Sequence, residues 1–543
     1  MTDTLTTLDW LVIGFYLVFL MAMAVWLSRS QYSREDYYVG GRNLGPWPVA
    51  ISVMATQCST NSILGAPAFV AFAAGGGLVW LQYELALPLA MIGLILFVMP
   101  IFRHLRLVSV YSYLERRFDT KTRLVLSGLF LFVRAFATAV TVYSIAIVID
   151  LITGLGFFWS VLLLGGFTVV YDVFGGIRGV IYSDVLQLVI LAGVLLLILF
   201  TLAEDSGGLG QMIASLDPDR RQTLDFSHHG LGDGQTFAFW PMLIGGFFLY
   251  MSYYGCDQSQ VQRTLSTRNI DTTNHALFIN GLLRFPLVML YCLVGVGIAV
   301  FATNHPGFVD ALPHPDGDPE YNLAIPLYMI SQLPAGLVGL AIVALFAAAM
   351  SSLDSVINSL SATTMEDFVR RFHRGVWNEH KELILSRWLT VFWGMVTLVM
   401  AFFVGDIAPT VLEAINKIGS LANGPILAVF ALGFFTRSVG GTGAIVGLLA
   451  GIAFNGACWL WLDQLSWLWW NLFGFLVTYL GGWITSPIFT DPNQAVADSE
   501  TLEANVKQFM ATESCINWYG RCGWLVAWFG ILLGVLVYIS QQA

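Results

Sequence analysis

Two long apolar segments of the chain are interrupted by hydroxyl, amide and carboxyl side chains. The first interruption runs from Ala55 to Ser62 and the second from Ser252 to Gln260. A helix that unwinds inside a membrane leaves backbone carbonyls free to bind a cation, and its half-helix ends face a polar solute. The two interruptions therefore predict a transport site at membrane depth. Polar helices that pack against neighbours through small residues are the alternative.

Oxygen-bearing side chains also mark a third apolar segment. Four of them share one helical face, at spacings i, i+3, i+4 and i+7: Ser351, Asp354, Ser355 and Asn358. Hydroxyl, carbonyl and carboxylate oxygens are the ligands of a hard cation such as sodium. Asp184 is a second carboxylate at membrane depth, and such carboxylates mark ion or proton paths. There are two competing interpretations. In the first, the serines bond only to the backbone of their own helix. In the second, the two carboxylates form salt bridges with Arg134, Arg284 or Lys417.

The composition places these segments in a bilayer. Of 543 residues, 57% are hydrophobic and 11% charged, whereas a soluble domain has about 25% charged residues. Apolar runs of about 20 residues, enough to cross a membrane, recur from Leu8 almost to the end of the chain. The formal charge of −10 comes from acidic loops, so we expect no nucleic-acid partner. The eight histidines lie in or beside loops, and we expect no enzyme.

Hydropathy and Gly/Pro punctuation predict fourteen membrane helices. They cover residues 8–28, 46–72, 77–102, 124–150, 156–175, 179–203, 237–256, 274–302, 335–365, 386–404, 408–436, 440–462, 466–486 and 521–540. Most lysines and arginines, Arg263 among them, fall in one set of alternating loops, which the positive-inside rule places in the cytoplasm. Both termini are then external. Arg134, Arg284 and Lys417 remain at membrane depth, where each needs a partner or a function.

Short motifs spread over most of the chain carry a family resemblance. They are YDVFGGI at 171–177, SDVLQ at 183–187, QSQVQR at 258–263, the serine pair at 351–352 and GPIL at 424–427, with YYVGGR at 37–42 and YLERRF at 113–118 in loops. Together they resemble the sodium:solute symporter family, which includes sodium/glucose, proline, sialic acid, iodide, monocarboxylate and multivitamin transporters.

The resemblance implies an all-α, LeuT-type bundle of two inverted five-helix repeats with extra helices at both ends. The expected divisions are an extra N-terminal helix and cytoplasmic loop (1–45), the first repeat (46–203), an extracellular loop (204–236), the second repeat (237–437) and extra C-terminal helices (438–543). The two interrupted segments begin the two repeats, and the two repeats enter the membrane from opposite sides.

The same resemblance implies where sodium binds. The carbonyls of Ala55, Cys58 and Ala348 and the hydroxyls of Ser351 and Ser352 would hold the main sodium ion. A second site, for sodium or for a proton, would use four side chains: Asp184, Ser351, Asp354 and Ser355. The family usually has a neutral or hydroxyl residue where this chain has Asp354, so a carboxylate there would strengthen a second sodium site or bind a proton.

The substrate pocket implied by the family has eight members: Ser59, Ser62, Gln82, Glu84, Tyr253, Asp257, Arg284 and Asn416. Tyr253 is also the expected inner gate. Arg134 joins the set because a guanidinium offers a planar fork to a carboxylate. Alternatively, Arg134 and Arg284 neutralise Glu84, Asp257 or Asp354 and do not meet the solute. A sugar and a carboxylate both remain open as substrates.

These observations predict a sodium-coupled symporter that imports a small polar solute by alternating access. Its expected partners are the solute, sodium and the lipid bilayer, without an obligate protein partner. A proton-coupled symporter that uses Asp184 and Asp354 is the main alternative, and a sensor or channel with the carrier fold is a remote one. The chain has no Asn-x-Ser/Thr sequon, so we expect a multi-pass protein of a bacterial inner membrane.

Overall fold

The computed structural model describes residues 5–58, 60–314, 317–373, 375, 378–404, 411–489 and 505–541, with residues 60, 61, 411–418 and 489 described by their backbone only. Of the predicted site residues, Ser59 lies outside the described residues, and so do the side chains of Asn416 and Lys417. Within the described ranges the chain folds into helices, with isolated β-bridges at Leu44 to Thr267 and Leu231 to Leu465. The predicted all-α class is confirmed.

The larger helices are α1 (Thr7–Ser28), α2 (Pro46–Gln57), α3 (Thr60–Ala71), α4 (Leu78–His104), α5 (Thr120–Thr153), α6 (Phe157–Asp205), α7 (Gly246–Cys256), α8 (Gln258–Leu265), α9 (Ile270–Asn304), α10 (Leu337–Phe372), α11 (Glu379–Val404), α12 (Val411–Phe435), α13 (Gly441–Trp461), α14 (Trp467–Phe489) and α15 (Trp518–Gln541). Shorter helices connect them at Arg34–Val39, Ser112–Arg117, Leu209–Ala214, Pro218–Arg221, Gly307–Asp310, Ala324–Gln332 and residues 505–513.

Nine of the helices in the described part of the chain are long and apolar enough to cross a membrane. One of them, α6, has 49 residues, and at 1.5 Å per residue it is about 70 Å long, more than twice the thickness of the hydrocarbon core. It is divided at Gly176, where φ is +53° and ψ is −163°. The two halves correspond to the spans predicted at 156–175 and 179–203. The total of fourteen spans stays a prediction.

Both predicted interruptions are confirmed. Helix α2 ends at Gln57, and Cys58 leaves the helical region with ψ at +57° before α3 begins. Helix α7 ends at Cys256, and Asp257 is extended, with φ −87° and ψ 123°. The Asp257 carboxylate accepts a hydrogen bond of 2.8 Å from the Ser259 backbone N–H, which makes it the N-cap of α8. At the second break a side chain thus starts the next helix, whereas at the first break the backbone of Cys58 leaves the helical region.

Helix α10 lies at the centre of the bundle. In its most apolar stretch 89% of the residues are buried, compared with 22% in α15 at the periphery. Its N-terminus is capped from α1, because Asp9 Oδ1 accepts hydrogen bonds from the backbone N–H groups of Gly336 (2.8 Å) and Gly339 (2.7 Å). A carboxylate is favourable at a helix N-terminus. This contact fixes the position of the helix that carries the serine pair.

Candidate transport site

A cavity of about 1270 Å³ runs into the bundle beside both helix breaks. Residues of α2, α3, α4, α5, α7, α9, α10, α12 and α14 line it. Its lining includes Phe237 from the segment between α6 and α7, and His314 and Glu320 from the segment between α9 and α10. The charge of the loops predicts that both segments are extracellular. The lining also includes Asp257 at the second break.

The first break lies against the serine pair of α10. The Ser351 hydroxyl is 3.2 Å from the carbonyl oxygen of Ala348 and 3.4 Å from that of Ala55. The Ser352 hydroxyl is 3.3 Å from the Thr56 carbonyl and 3.4 Å from the Ala348 carbonyl. A hydroxyl has one proton and two lone pairs, so these groups keep acceptor capacity. The C-terminal end of α2 adds the negative end of its dipole, which suits a cation.

A small cavity, too narrow in this structure to hold a water molecule, adjoins these oxygen atoms. Four of the five predicted ligands of the main sodium site line it: Ala55, Cys58, Ala348 and Ser351. The fifth, Ser352, lines the large cavity instead. Gln187 of α6 also lines the small cavity; its Nε2 group donates to the Tyr16 hydroxyl at 3.1 Å, and its Oε1 atom is buried without a hydrogen-bond partner among the described residues. The sequence analysis did not place Gln187 at this site, although it noted the SDVLQ motif to which Gln187 belongs.

The second predicted cation site contains a protein cation. Asp184 Oδ2 accepts a hydrogen bond of 2.5 Å from the Ser52 hydroxyl and lies 3.5 Å from Arg263 Nη2. The assignment of Arg263 to a cytoplasmic loop was wrong, because its side chain lies on α8 and is 0% exposed. The partner of Asp184 is therefore Arg263 and neither Arg134 nor Arg284. The error arose because the polar QSQVQR string resembles a solvated loop, whereas it forms a fully buried helix.

Asp354 is also fully buried but has no cation within ion-pair distance among the described residues. Its Oδ1 atom accepts a hydrogen bond of 3.0 Å from the Ser355 hydroxyl, and its Oδ2 atom has no described partner. One turn further along α10, Asn358 donates to Asp172 Oδ1 at 3.2 Å and accepts from Gln262 at 2.8 Å. The polar face predicted on α10 thus points into a buried network shared with α6 and α8.

The second break holds an arginine at the cavity wall. Arg134 Nε donates to Asp257 Oδ2 at 2.5 Å, and its guanidinium lies 5.1 Å from the centre of the Tyr253 ring. Its side chain remains 23% exposed. The Tyr253 hydroxyl accepts a hydrogen bond of 2.8 Å from Gln260. The structure therefore brings together three predicted substrate residues, Arg134, Tyr253 and Asp257, and all three line the cavity.

Nearer the first break, Arg284 forms a second polar group in the cavity wall. Its Nη1 atom is 2.5 Å from Cys58 Sγ, and its Nε atom is 3.5 Å from Glu84 Oε2. The Tyr250 hydroxyl donates to Glu84 Oε1 at 3.0 Å. Ser62, which also lines the cavity, is 3.3 Å from the Gln57 carbonyl. Both arginines thus form the carboxylate pairs that the sequence offered as alternatives, and both still reach the cavity.

Gln82 is the exception among the described substrate residues, because it is absent from the cavity wall. It is fully buried; its Nε2 group donates to the Phe237 carbonyl at 2.8 Å, and its Oε1 atom accepts from the Asp225 backbone N–H at 3.1 Å. Both ends of the amide are therefore used to hold the segment between α6 and α7 on the bundle. The structure thus gives Gln82 structural contacts, and its contact with substrate stays a prediction.

Comparison with known proteins agrees with this arrangement. A model of the sodium:solute symporter family matches residues 37–451. The sodium/sialic acid symporter NanT of Aliivibrio fischeri is 31% identical over 493 residues, covering 89% of this chain and 94% of the relative. The sodium-dependent multivitamin transporter of Oryctolagus cuniculus is 31% identical over 473 residues, covering 83% of this chain and 70% of the relative.

The fold is also matched by a solved structure. A sodium-coupled sialic acid symporter, in a substrate-bound and outward-open state, superposes with a TM-score of 0.80 at 24% identity, covering 89% of this chain and 98% of the other. The predicted inverted-repeat fold of the LeuT type is confirmed, and so are sodium as the co-transported ion and a transporter class rather than an enzyme. The chain belongs to the sodium:solute symporter family and is a multi-pass, sodium-coupled solute symporter.

Proposed function

We propose that this symporter imports a small organic acid and that Arg134 binds the carboxylate of the solute. The observation that carries the proposal is the placement of Arg134 in the cavity wall. Asp257 engages its Nε and Nη2 groups, which leaves Nη1 without a partner among the described residues. A guanidinium with free N–H groups in a partly dry cavity is well suited to a planar carboxylate.

The relatives support an acidic solute. Sialic acid, the solute named for the Aliivibrio fischeri relative, carries a carboxylate. The cavity of this chain, about 1270 Å³, is larger than the roughly 300–1,000 Å³ of most small-molecule sites, so it has room for sialic acid. Arg284 is less suited to the role, because its side chain is only 5% exposed and it already contacts Glu84 and Cys58. We therefore assign recognition to Arg134 and a structural pairing to Arg284.

For the sodium ion we propose the small cavity between α2 and α10. Its ligands are the carbonyls of Ala55, Cys58 and Ala348 and the hydroxyls of Ser351 and Ser352. We add Gln187, because its carboxamide oxygen is buried at the same cavity without a described partner. A buried acceptor of this kind is costly unless it finds a donor or a cation. Five of these six oxygen-bearing groups line the small cavity, and the Ser352 hydroxyl lies 3.4 Å from the Ala348 carbonyl. Six oxygen ligands are enough for a hard cation.

The transport cycle follows from the position of the two sites. Sodium binding ties the end of α2 to α10 and so orders the wall of the solute cavity; the solute then binds through Arg134, and Tyr253 beneath it acts as the inner gate. Because binding is reciprocal, the solute raises the affinity for sodium by the same factor. The loop charges further support a cavity that opens outside and external termini. The absence of an Asn-x-Ser/Thr sequon supports residence in a bacterial inner membrane.

The test is uptake into proteoliposomes with an inward sodium gradient or an equal potassium gradient. The solutes are labelled sialic acid, a short monocarboxylate and a neutral hexose. We expect sodium-dependent uptake of an acid. In the Arg134→Gln variant we expect roughly 10- to 150-fold weaker binding of that acid, because a hydrogen bond to a charged group contributes about 1.5–3 kcal/mol.

Asp257→Asn is the matched control for this test. This substitution keeps Arg134, and asparagine is as good an N-cap residue as aspartate. The substitution removes the carboxylate that competes with the solute for Arg134. We expect this variant to retain the acid, with equal or tighter binding. Sodium-dependent uptake of the hexose alone, with no loss in Arg134→Gln, would contradict the proposed substrate class and favour a sugar. Uptake that is equal in sodium and potassium would contradict sodium coupling.

A further inference from the structure

Aromatic rings follow one another along the wall of the large cavity, starting at the proposed carboxylate site. The Tyr253 ring lies 5.1 Å from the Arg134 guanidinium. It contacts Tyr254 at a centroid distance of 5.3 Å, and Tyr254 contacts Tyr250 at 6.1 Å. Tyr250 of α7 in turn lies 5.0 Å from Tyr83 of α4. Ring contacts therefore connect the second helix break to α4.

The contacts continue from α4 to the segment between α6 and α7. Trp80 lies 5.9 Å from Tyr83 and packs against Phe69 of α3 at 5.2 Å and against Phe237 at 5.8 Å. Phe69 and Phe237 contact each other at 4.8 Å, with ring planes at 75°. We call the six of these rings that line the cavity the aromatic row: Phe69, Trp80, Tyr83, Phe237, Tyr250 and Tyr253. All but Tyr250 are only partly buried, so they leave ring surface for a solute.

The hydroxyl groups of the cavity wall are mostly bonded to the protein already. Tyr250 donates to Glu84 Oε1 at 3.0 Å, and the Tyr253 hydroxyl accepts from Gln260 at 2.8 Å. Most serine and threonine hydroxyls of the wall donate to backbone carbonyls, namely those of Thr56, Ser62, Thr141, Ser144, Ser252 and Ser352. A solute rich in hydroxyl groups needs many free partners to replace its water. The wall therefore favours a solute whose body makes ring contacts rather than hydrogen bonds.

We infer that the solute is a carboxylic acid with an aromatic ring, bound with its carboxylate on Arg134 and its ring against the aromatic row. The inference rests on the proposed function and adds the chemical class of the rest of the solute. Aromatic rings attract one another edge to face or in offset stacks, beyond the effect of the area they bury. A polyhydroxylated acid would instead place hydroxyl groups against ring surfaces, where their hydrogen bonds to water are lost.

Binding of a series of acids to the purified protein tests the inference. The probes are valerate, 5-cyclohexylvalerate, 5-phenylvalerate and sialic acid. Each is titrated in sodium chloride and in choline chloride, so that partition into detergent is subtracted. We expect 5-phenylvalerate to bind roughly 10- to 150-fold more tightly than valerate, because its ring is buried in the complex. We also expect it to bind more tightly than 5-cyclohexylvalerate, whose ring is of similar size but has no aromatic face.

The outcomes separate the inference from the proposed function. Sodium-dependent binding of valerate that the phenyl ring does not improve would overturn the inference and leave the import of an organic acid intact. Tighter binding of sialic acid or of 5-cyclohexylvalerate than of 5-phenylvalerate would do the same. If none of the four acids binds in a sodium-dependent manner, the proposed function itself is contradicted.

Trp80→Leu tests the aromatic row in the protein. We expect it to weaken binding of 5-phenylvalerate roughly 2- to 13-fold more than binding of valerate, because one aromatic contact is lost. Phe248→Leu is the matched control, because Phe248 pairs with Phe475 at 4.8 Å and is not among the residues that line the cavity; we expect wild-type binding of both acids. The same loss for both acids in Trp80→Leu would overturn the inference. The series of acids with the wild-type protein decides the matter even if a variant fails to fold.

Discussion

Replacement of Ser351 by alanine removes one hydroxyl from the proposed sodium site and leaves the backbone of α10 intact. Alanine is a better helix former than serine, and the hydroxyl donates only to nearby carbonyls, those of Ala55 and Ala348. A neutral hydrogen bond of this kind contributes about 1 kcal/mol. We therefore expect a folded variant whose stability without sodium differs from the wild type by roughly that amount or less.

The effect on sodium binding is larger. A hydroxyl bound to a charged group contributes about 1.5–3 kcal/mol, so its loss raises the dissociation constant for sodium roughly 10- to 150-fold. At a sodium concentration 100 times the wild-type dissociation constant, binding stabilises the folded protein by about 2.7 kcal/mol. If the variant binds 100-fold more weakly, the same concentration stabilises it by only about 0.4 kcal/mol.

The assay is thermal unfolding of the purified protein in sodium chloride and in choline chloride at equal ionic strength. Ser359→Ala is the matched control, because Ser359 is a buried serine on the same helix that is bonded to the Val356 carbonyl at 2.8 Å. We expect the control to keep the full stabilisation by sodium and Ser351→Ala to lose most of it. Equal stabilisation of both variants would refute the role of Ser351 in the sodium site.

Three further substitutions test separate parts of the structure. Gln187→Leu should raise the half-saturating sodium concentration several-fold in uptake assays, with unchanged solute affinity at saturating sodium; an unchanged sodium dependence would remove Gln187 from the site. Gly176→Ala should lower the melting temperature and the yield, because φ is +53° and a Cβ atom would lie 2.8 Å from the Tyr37 ring. Gly179→Ala is its control: the space around that Cβ is open, so we expect neither the melting temperature nor the yield to fall. Asp9→Ala should destabilise the protein by about 2 kcal/mol in thermal unfolding, because it leaves two N–H groups at the start of α10 without their acceptor; unchanged stability would show that water replaces the cap.

The two helix breaks could be predicted from the sequence because their cause is local. Polar residues such as Gln57 and Asp257 stand in segments that are otherwise apolar, and membrane helices accept them only at a cost. The position of Ser351 opposite the first break came from the family resemblance, and the structure places its hydroxyl beside the Ala55 carbonyl. Helical periodicity also predicted the polar face of α10. These features depend on the type and spacing of neighbouring residues, which the sequence records directly.

Pairing between distant residues could not be predicted in the same way. Arg134 and Arg284 were recognised as buried cations, but the sequence left open whether each meets the solute or a carboxylate, since that choice depends on how α5, α7 and α9 pack. Gln82 shows the same limit: its amide bonds to Phe237 and Asp225, more than 140 residues away in the chain. A polar side chain at membrane depth needs a partner, but its identity is decided by tertiary packing.

Arg263 shows why the charge of a segment is an incomplete guide to its environment. The positive-inside rule counts cations near the ends of membrane spans and works because exposed cations stay in the cytoplasm. The rule does not apply to a cation that is buried inside the protein, because a neighbouring carboxylate balances its charge there. Asp184, 79 residues away in the chain, supplies that balance here. A buried carboxylate without an evident counter-ion is therefore a reason to search nearby polar helices for an arginine before a metal ion is assigned to it.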